Sequence, residues 1–326
     1  ADSGEWIVAR TDAPWAQFYV ANWHLIATGN GYWDAFAAPS AFEHLWSLAI
    51  EEQFYLAWPI LVLVLLRRGG TRSVAVVAAG GAALSVLAMA IWYSAGDPTR
   101  VYMGTDTRAF SLLAGAMCAV PVIRQRVERF TIARPRSALL VGLGAATTIG
   151  TMWVAASGTS GWLFRGGLGA HSIASALLAA LVVAGVPAVE RLLNARWLVR
   201  IGRLSYSIYL WHWPVFILVS PPHVAIDRTA LTVVRLAITA VLSVASYVLV
   251  EQPIRHRAQW AHGGRGRVAF AGSSAIAVAV WLAIPVPAST NAVSTAALEA
   301  VLGTSTTSVT VTTTAVPTTT AATTPS

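Results

Sequence analysis

The sequence predicts an all-α protein, a polytopic bundle of about eight transmembrane helices. Of its 326 residues, 56% are hydrophobic and only 11% are charged, and the mean hydropathy is +0.62. Apolar stretches of about 20 residues, the length that a helix needs to cross a bilayer, recur along the chain. Arginines gather in every second connection between these stretches, as expected of a chain that crosses the membrane repeatedly.

The apolar stretches are built mainly from Ala, Val and Leu with interspersed Gly. Small residues of this kind let neighbouring membrane helices approach closely. Eight segments have the length and hydropathy of spans: 48–66, 73–95, 108–123, 137–157, 168–186, 201–220, 229–250 and 267–286.

The arginines predict the orientation of the bundle. Sixteen of the 22 basic residues follow the first, third, fifth and seventh segments, either in the connection or at the very start of the next segment. Cytoplasmic loops carry an excess of basic residues, so we expect these connections in the cytoplasm and the C-terminal tail outside. The net charge of +8 is then an orientation signal and does not indicate a nucleic-acid partner. We expect an integral protein of the bacterial cytoplasmic membrane, surrounded by membrane lipid.

Three regions follow from this pattern. Residues 1–47 form an external N-terminal segment, in which 15–28 is too short and too polar to cross the membrane alone and is expected to be a partial span. Residues 48–287 form the transmembrane domain. The tail 288–326 is dominated by Thr, Ser, Ala and Pro, which cannot build a core, and is expected to be a disordered extracytoplasmic linker.

Neither disulfide nor metal chemistry is indicated. The single cysteine, Cys118, allows no bond within the chain, and no His and Cys cluster has the spacing of a zinc site. The candidate chemistry therefore rests on polar side chains at membrane depth, where charged groups are costly and usually functional.

The first such group lies where the first span begins, in HLWSLAIEEQFY. His44 and Glu51 are seven residues apart and share a helical face, with Glu52 and Gln53 beside them. Two acids at a helix N-terminus are also favoured by the helix dipole alone, so a purely structural role is the alternative.

The second group is YMGTDTR, ahead of the third span. Asp106 and Arg108 form either a structural ion pair or a clamp on a substrate. The two interpretations are equally favoured by the sequence.

The third group is SYSIYLWHWP, in which Ser205, Tyr209 and His212 make a polar stripe along one face of an apolar helix. His212 is either a buried histidine with tyrosine partners or a titrating group that relays a proton or acts as a general base. A fourth group, VEQPIR, places Glu251 near Arg255, where a structural salt bridge is favoured.

These motifs, taken in order, resemble the membrane acyltransferase-3 family of integral O-acyltransferases. The resemblance runs from about residue 15 to about residue 257. It implies transfer of an acyl group, usually acetyl, from a cytoplasmic acyl-CoA donor such as acetyl-CoA to a hydroxyl of an extracytoplasmic glycan or glycolipid. Family members often carry an external SGNH-type domain after such a linker, which is the further partner that the resemblance implies.

The resemblance also directs the choice of site residues. The candidate catalytic residues are His44, Glu51, Glu52 and His212, and the candidate substrate-binding residues are Gln53, Asp106, Arg108 and Tyr209. Family members begin with about three further spans, the first of which bears an arginine and the histidine regarded as catalytic. That segment is not in this sequence, so the chain on its own is expected to be an incomplete and inactive unit.

Two other functions fit the same pattern. A transporter or flippase also needs intramembrane acids, but it usually shows internal repeats with matching helix breaks, which this sequence lacks. A noncatalytic membrane scaffold could carry an external domain on the Thr-rich tail. Transfer of label from acetyl-CoA by membranes distinguishes the scaffold from the enzyme.

Overall fold

The computed structural model describes residues 3–29, 40–221, 227–256 and 263–283, which lie within one compact unit, Ala1–Ile284. These described residues contain no strand, and the all-α prediction is confirmed. The predicted linker 288–326 lies outside them. The α-helices are α1 (Ser3–Gln17), α2 (Ala21–Thr28), α3 (Trp46–Trp92), α4 (Thr99–Met103), α5 (Thr105–Ala119), α6 (Pro121–Ala133), α7 (Pro135–Ala155), α8 (Leu168–Val183), α9 (Pro187–Leu193), α10 (Arg196–Leu218), α11 (Arg228–Ser246), α12 (Gln252–Arg255) and α13 (Gly263–Ala283).

Helix α3 consists of two membrane-length halves that reverse direction at Gly70. This residue has φ 66° and ψ −164°, a conformation that Gly alone adopts readily. A straight helix of 47 residues would be about 70 Å long. Trp46 at its beginning nevertheless contacts Tyr102, and Met89 near its end packs against Val101. The two halves therefore run antiparallel, and they correspond to the first two predicted spans.

Small residues allow the central helices to approach closely. A β-carbon placed on Gly169 of α8 would lie 3.0 Å from Val86 of α3, and one on Gly81 would lie 3.1 Å from Leu113 of α5. The core between α3, α5 and the turn before α8 is apolar. It consists of Met89, Val101, Phe110, Leu163 and Phe164.

Helices α10 and α11 form an antiparallel pair within the unit Ala1–Ile284. Arg235 of α11 donates hydrogen bonds to the backbone carbonyls of Val219, at 2.7 Å, and Phe216, at 3.0 Å. Asp227 caps the beginning of α11 by accepting from two backbone N–H groups. Helices α10 and α11 pack mainly against each other. Their side chains reach α3, but the backbones of α3 and α10 stay apart along most of their length.

Seven of the eight predicted spans each fall mainly on one helical segment in the described residues, and the third, 108–123, crosses the bend at Val120 between α5 and α6. By length and hydropathy alone, four helical segments qualify as spans: Glu43–Trp92, Pro135–Ala155, Leu163–Val183 and Arg228–Arg255. A fifth is added if Thr99–Ala119 and Pro121–Ala133, which meet at a 69° bend, are counted as one. The chain is a helical membrane protein.

The predicted partial span 15–28 is not one helix. Helix α1 ends at Gln17 and α2 begins at Ala21, and the connection contains Tyr19 with φ 56°. A positive φ is costly for a residue with a β-carbon and ends helical hydrogen bonding at this point.

Candidate functional site

The candidate site lies where α3 begins and α10 passes beside it. A short 3₁₀ turn, Glu43–Leu45, precedes α3 and carries His44. The Tyr209 hydroxyl of α10 donates to the backbone carbonyl of His44 at 2.6 Å and is 2.5 Å from the Ser47 hydroxyl. Because the tyrosine hydroxyl has one hydrogen, Ser47 is the donor in the second bond. Trp213 strengthens the junction by donating to the backbone carbonyl of Ser40 at 2.8 Å.

Two predicted histidines meet at this junction. The rings of His44 and His212 lie 5.4 Å apart and nearly perpendicular, and the Tyr209 ring lies 5.3 Å from the first and 5.2 Å from the second. His212 Nδ1 is 2.7 Å from the carbonyl oxygen of Tyr209. A carbonyl only accepts, so Nδ1 carries the hydrogen. This bond leaves Nε2 as the ring atom that could take up a proton.

The His44 ring has an unusual environment. Its side chain is buried, with the residue only 6% exposed, and neither ring nitrogen makes a hydrogen bond in the described part of the chain. The carbonyls of Ala41, Tyr209 and Leu210 lie nearby. Buried polar groups without partners are rare and call for an explanation, and a bound reactant would supply one here.

We call the line of contact between the beginning of α3 and the adjoining part of α10 the seam. Three acids line its next part. Glu51 and Glu52 are half-buried in the second turn of α3, and their charges act on the Tyr206 hydroxyl of α10. Glu251 acts on it as well. Three carboxylates thus lie near enough to Tyr206, one helical turn before Tyr209, for their charges to act on it.

Glu251 lies beside the middle of α10 and not at its beginning. One of its carboxylate oxygens accepts from the buried Ser207 hydroxyl at 3.1 Å, and the other pairs with Arg255 at 2.9 Å. The salt bridge expected for VEQPIR is therefore formed. A π-helical turn, Tyr247–Glu251, ends at this glutamate, and such turns are frequent at functional sites.

Gln53 is fully engaged within the protein. Its amide nitrogen donates to the Tyr19 carbonyl at 2.8 Å and to the Asn22 side chain at 3.0 Å. Its amide oxygen accepts from Thr105 at 2.6 Å and from Trp23 at 3.4 Å. These four bonds use the four that a glutamine side chain can make, so they tie α3 to α2 and α5. Its role as a substrate ligand stays a prediction.

The acid of the YMGTDTR motif does not pair with the arginine of the same motif. Asp106 forms a two-bond pair with Arg100, at 3.0 and 2.8 Å, and not with Arg108. Gly104 makes room for this pair, because a β-carbon there would lie 2.1 Å from the Arg100 guanidinium. The Arg108 guanidinium instead lies over the rings of Tyr102, at 5.0 Å, and Trp46, at 5.9 Å.

The structure thus brings His44, Tyr209 and His212 into contact and places Glu51 and Glu52 along the same seam. Arg108 adjoins them through Trp46, which follows His44 by two residues. Sequence reasoning missed the partners Ser47, Asn22, Arg100, Tyr206 and Ser207. Tyr206 stands within the quoted SYSIYLWHWP motif, one helical turn before Tyr209, which was the available signal.

No group of three or more His, Cys, Asp or Glu side chains among the described residues is arranged to hold a metal ion.

Known proteins share the region that builds this site. The chain is 36% identical over 254 residues to the peptidoglycan O-acetyltransferase OatA of Listeria monocytogenes and 31% identical over 257 residues to the O-acetyltransferase OatA of Staphylococcus aureus. It is also 35% identical over 255 residues to the YrhL protein of Bacillus subtilis.

These matches cover 76%, 77% and 76% of this chain but only 40%, 42% and 40% of the three relatives. The chain therefore spans about two fifths of the length of the curated relatives it matches. No solved structure shows a significant match.

The profile described as an acyltransferase domain matches residues 5–251, which include the 3₁₀ turn, both halves of α3 and the whole of α10. The histidine and tyrosine cluster and the acids of the seam all lie inside the matched region. The chain belongs to the acyltransferase-3 family of membrane acyltransferases.

Proposed function

We propose that this chain is the membrane part of an O-acetyltransferase that modifies peptidoglycan. The donor would be an acyl-CoA, in particular acetyl-CoA, on the cytoplasmic side, and the acceptor a glycan hydroxyl on the other side. The acceptor is suggested by relatives described as acting on peptidoglycan. The sidedness is supported by the arginine-rich connections, which predict that the end with His44 faces outward.

The reaction needs a base, stabilisation of developing negative charge and alignment of two reactants. The acceptor oxygen loses its proton to the base and attacks the thioester carbonyl. The new C–O bond forms as the C–S bond breaks, and the thiolate leaves and takes up a proton. Neither oxidation nor reduction occurs.

The geometry suggests a role for each candidate residue. His212, whose Nε2 could take up a proton, is the proposed base, and His44 offers two unsatisfied ring nitrogens to the acceptor. Glu51 and Glu52 are proposed to shape the acceptor end of the seam. Tyr209 is proposed to line the acyl path beside them.

Two further assignments complete the proposal. Asp106 holds the α4–α5 corner through Arg100, and Arg108 faces the site beside Trp46. A linked or partner SGNH-type domain stays a prediction. The single observation that carries the proposal is the contact between His44, Tyr209 and His212 inside a region that matches the acyltransferase profile.

The test uses the complete gene product in membranes, with radiolabelled acetyl-CoA and peptidoglycan fragments. Loss of a general base typically slows a reaction by about 100-fold or more, so His212→Ala is expected to lower transfer by that amount. Glu52→Gln is expected to lower it by about 10-fold or more, since a charge in the seam is removed.

His171→Ala is the matched control, because His171 is a half-buried membrane histidine on α8 that contacts Trp153 outside the seam. It should keep the transfer rate. Equal rates in all three variants would remove these residues from the mechanism. Absence of transfer by the unmodified protein would favour a scaffold.

A further inference from the structure

Arg108 is a cation without an anionic partner in the described structure. Its guanidinium is half-buried and lies beside Tyr102 and Trp46, at 5.0 and 5.9 Å from the centroids of two rings that also contact each other. Within residues 3–29, 40–221, 227–256 and 263–283, its side chain makes neither an ion pair nor a hydrogen bond. The aromatic faces stabilise the positive charge but accept none of its five N–H donors well.

The acid that could neutralise Arg108 is already committed. Asp106, two residues earlier, forms its two-bond pair with Arg100, which also lies over the rings of Trp23 and Trp92, each at 5.2 Å. The backbone of α5 holds Asp106 in this arrangement, because Gly104 leaves space for the pair. Arg100, just before the motif, is therefore neutralised, and Arg108 pairs with no acid among the described residues.

Charged groups at this depth are costly, and they usually mark the path of a substrate or ion. The planar fork of a guanidinium suits the two oxygens of a carboxylate. Arg108 also lies at the end of the bundle that carries His44, since Trp46 contacts it and begins α3. The phosphates of an acyl-CoA would approach from the opposite end.

We propose that Arg108 binds a carboxylate of the acyl acceptor and thereby makes the site selective for acidic glycan fragments. This inference rests on the proposed function for the direction from which the acceptor arrives. The carboxylate that Arg108 would bind belongs to the acceptor itself. The peptide carboxylates of peptidoglycan fragments are an example. A phospholipid headgroup is the other source of an anion, and the test separates the two.

The test measures binding without an acyl donor, using the complete protein in nanodiscs of neutral phosphatidylcholine. The two probes are a peptidoglycan disaccharide tetrapeptide with free carboxylates and the same fragment with its carboxylates converted to amides. The unmodified protein is expected to bind the acidic probe about 10-fold more tightly, as a charge-assisted pair of hydrogen bonds would provide. Arg108→Gln should abolish this preference by weakening only the acidic probe.

Two further variants support the interpretation. Arg165→Gln is the matched control, since Arg165 is an exposed arginine whose guanidinium lies 5.4 Å over the Tyr93 ring, and it should keep the full preference. Arg108→Lys keeps the charge but loses the fork, so it should retain about a third of the preference. If Arg108→Gln lowers the unfolding temperature of the protein, the Arg108→Lys variant tests the inference in its place.

Equal affinity of the unmodified protein for both probes would overturn the inference, as would equal weakening of both by Arg108→Gln. Nanodiscs containing phosphatidylglycerol address the lipid source, and loss of the acidic preference there would assign Arg108 to a headgroup instead. Because no acetyl transfer is measured, a protein that binds the acidic probe selectively but transfers nothing would refute the proposed function and leave this binding site standing.

Discussion

Asn22 is a fully buried side chain on which the packing of α2 against α5 depends. It donates to the Met103 carbonyl at 3.1 Å and to Thr105 at 2.9 Å, and it accepts from Gln53. Replacement by Ala leaves these groups buried and unpaired, which costs about 1–3 kcal/mol each time a buried partner is lost.

We therefore expect Asn22→Ala to lower the apparent unfolding temperature of the purified protein by several degrees. Thermal unfolding in detergent measures this change. Asn194→Ala is the control, because Asn194 is exposed and bonds only to Glu190 on its own helix turn. A similar unfolding temperature for both variants would contradict the structural role of Asn22.

The residues of the site were predictable to the extent that local motifs contain them. His44, Tyr209 and His212 stand in two unusual motifs, and Tyr209 and His212 are polar within an otherwise apolar helical stretch. Their partners were not predictable, because the bond from Tyr209 to His44 joins positions 165 residues apart. The sequence likewise gives no sign that Asn22 is structural, because its partner Met103 lies 81 residues later in the chain.

Among the elements, the reversal inside α3 gives the clearest prediction. Gly70 has a positive φ with an extended ψ, where a side chain costs about 1–3 kcal/mol. Gly70→Ala should lower the unfolding temperature and reduce the yield of protein in the membrane.

Gly80→Ala provides the comparison for this variant. Gly80 lies in the second half of the same helix with open space around its α-carbon. Alanine favours a helix over glycine by roughly 1 kcal/mol, so this variant should be neutral or stabilising. Equal losses in the two variants would argue against a strained reversal.

The α4–α5 corner gives a second prediction at this scale. A β-carbon at Gly104 would collide with the Arg100 guanidinium, at 2.1 Å, and approach Asp106 at 2.6 Å. Gly104→Ala is expected to break the pair and to lower transfer about as much as Asp106→Asn does, since both release the same corner. Radiolabel transfer measures this, and an unaffected Gly104→Ala variant would show that the corner does not position the site.

Helix existence was predictable for every span, because length and hydropathy are properties of the local sequence. Boundaries and breaks were less so. Nothing in WAQFYVANWHLIAT indicates that Tyr19 adopts a positive φ, which the surrounding packing imposes. The pairing of α10 with α11, and its distance from α3, depend on tertiary contacts that periodicity does not contain.

For the whole molecule, the arginine pattern predicts which side each loop faces. In a variant with Cys118→Ala, a cysteine at Ser94 should react with a membrane-impermeant maleimide on intact cells, because this loop residue is exposed and lies on the predicted outer side. A cysteine at Gln125, exposed on α6, should react only after permeabilisation. Gel-shift detection of the labelled protein reads both results, and the reverse pattern would invert the predicted orientation.

The contact between His44 and His212 has a consequence for the timing of synthesis. The two imidazoles are contributed by stretches 168 residues apart, so a ribosome adding about 5–20 residues per second needs roughly 8–34 seconds to supply the second after the first. A nascent chain thus holds no assembled pair of imidazoles while most of its helices are being inserted. Under the proposed function, the base His212 joins His44 only once α10 has docked, so an incomplete chain would not consume acyl-CoA.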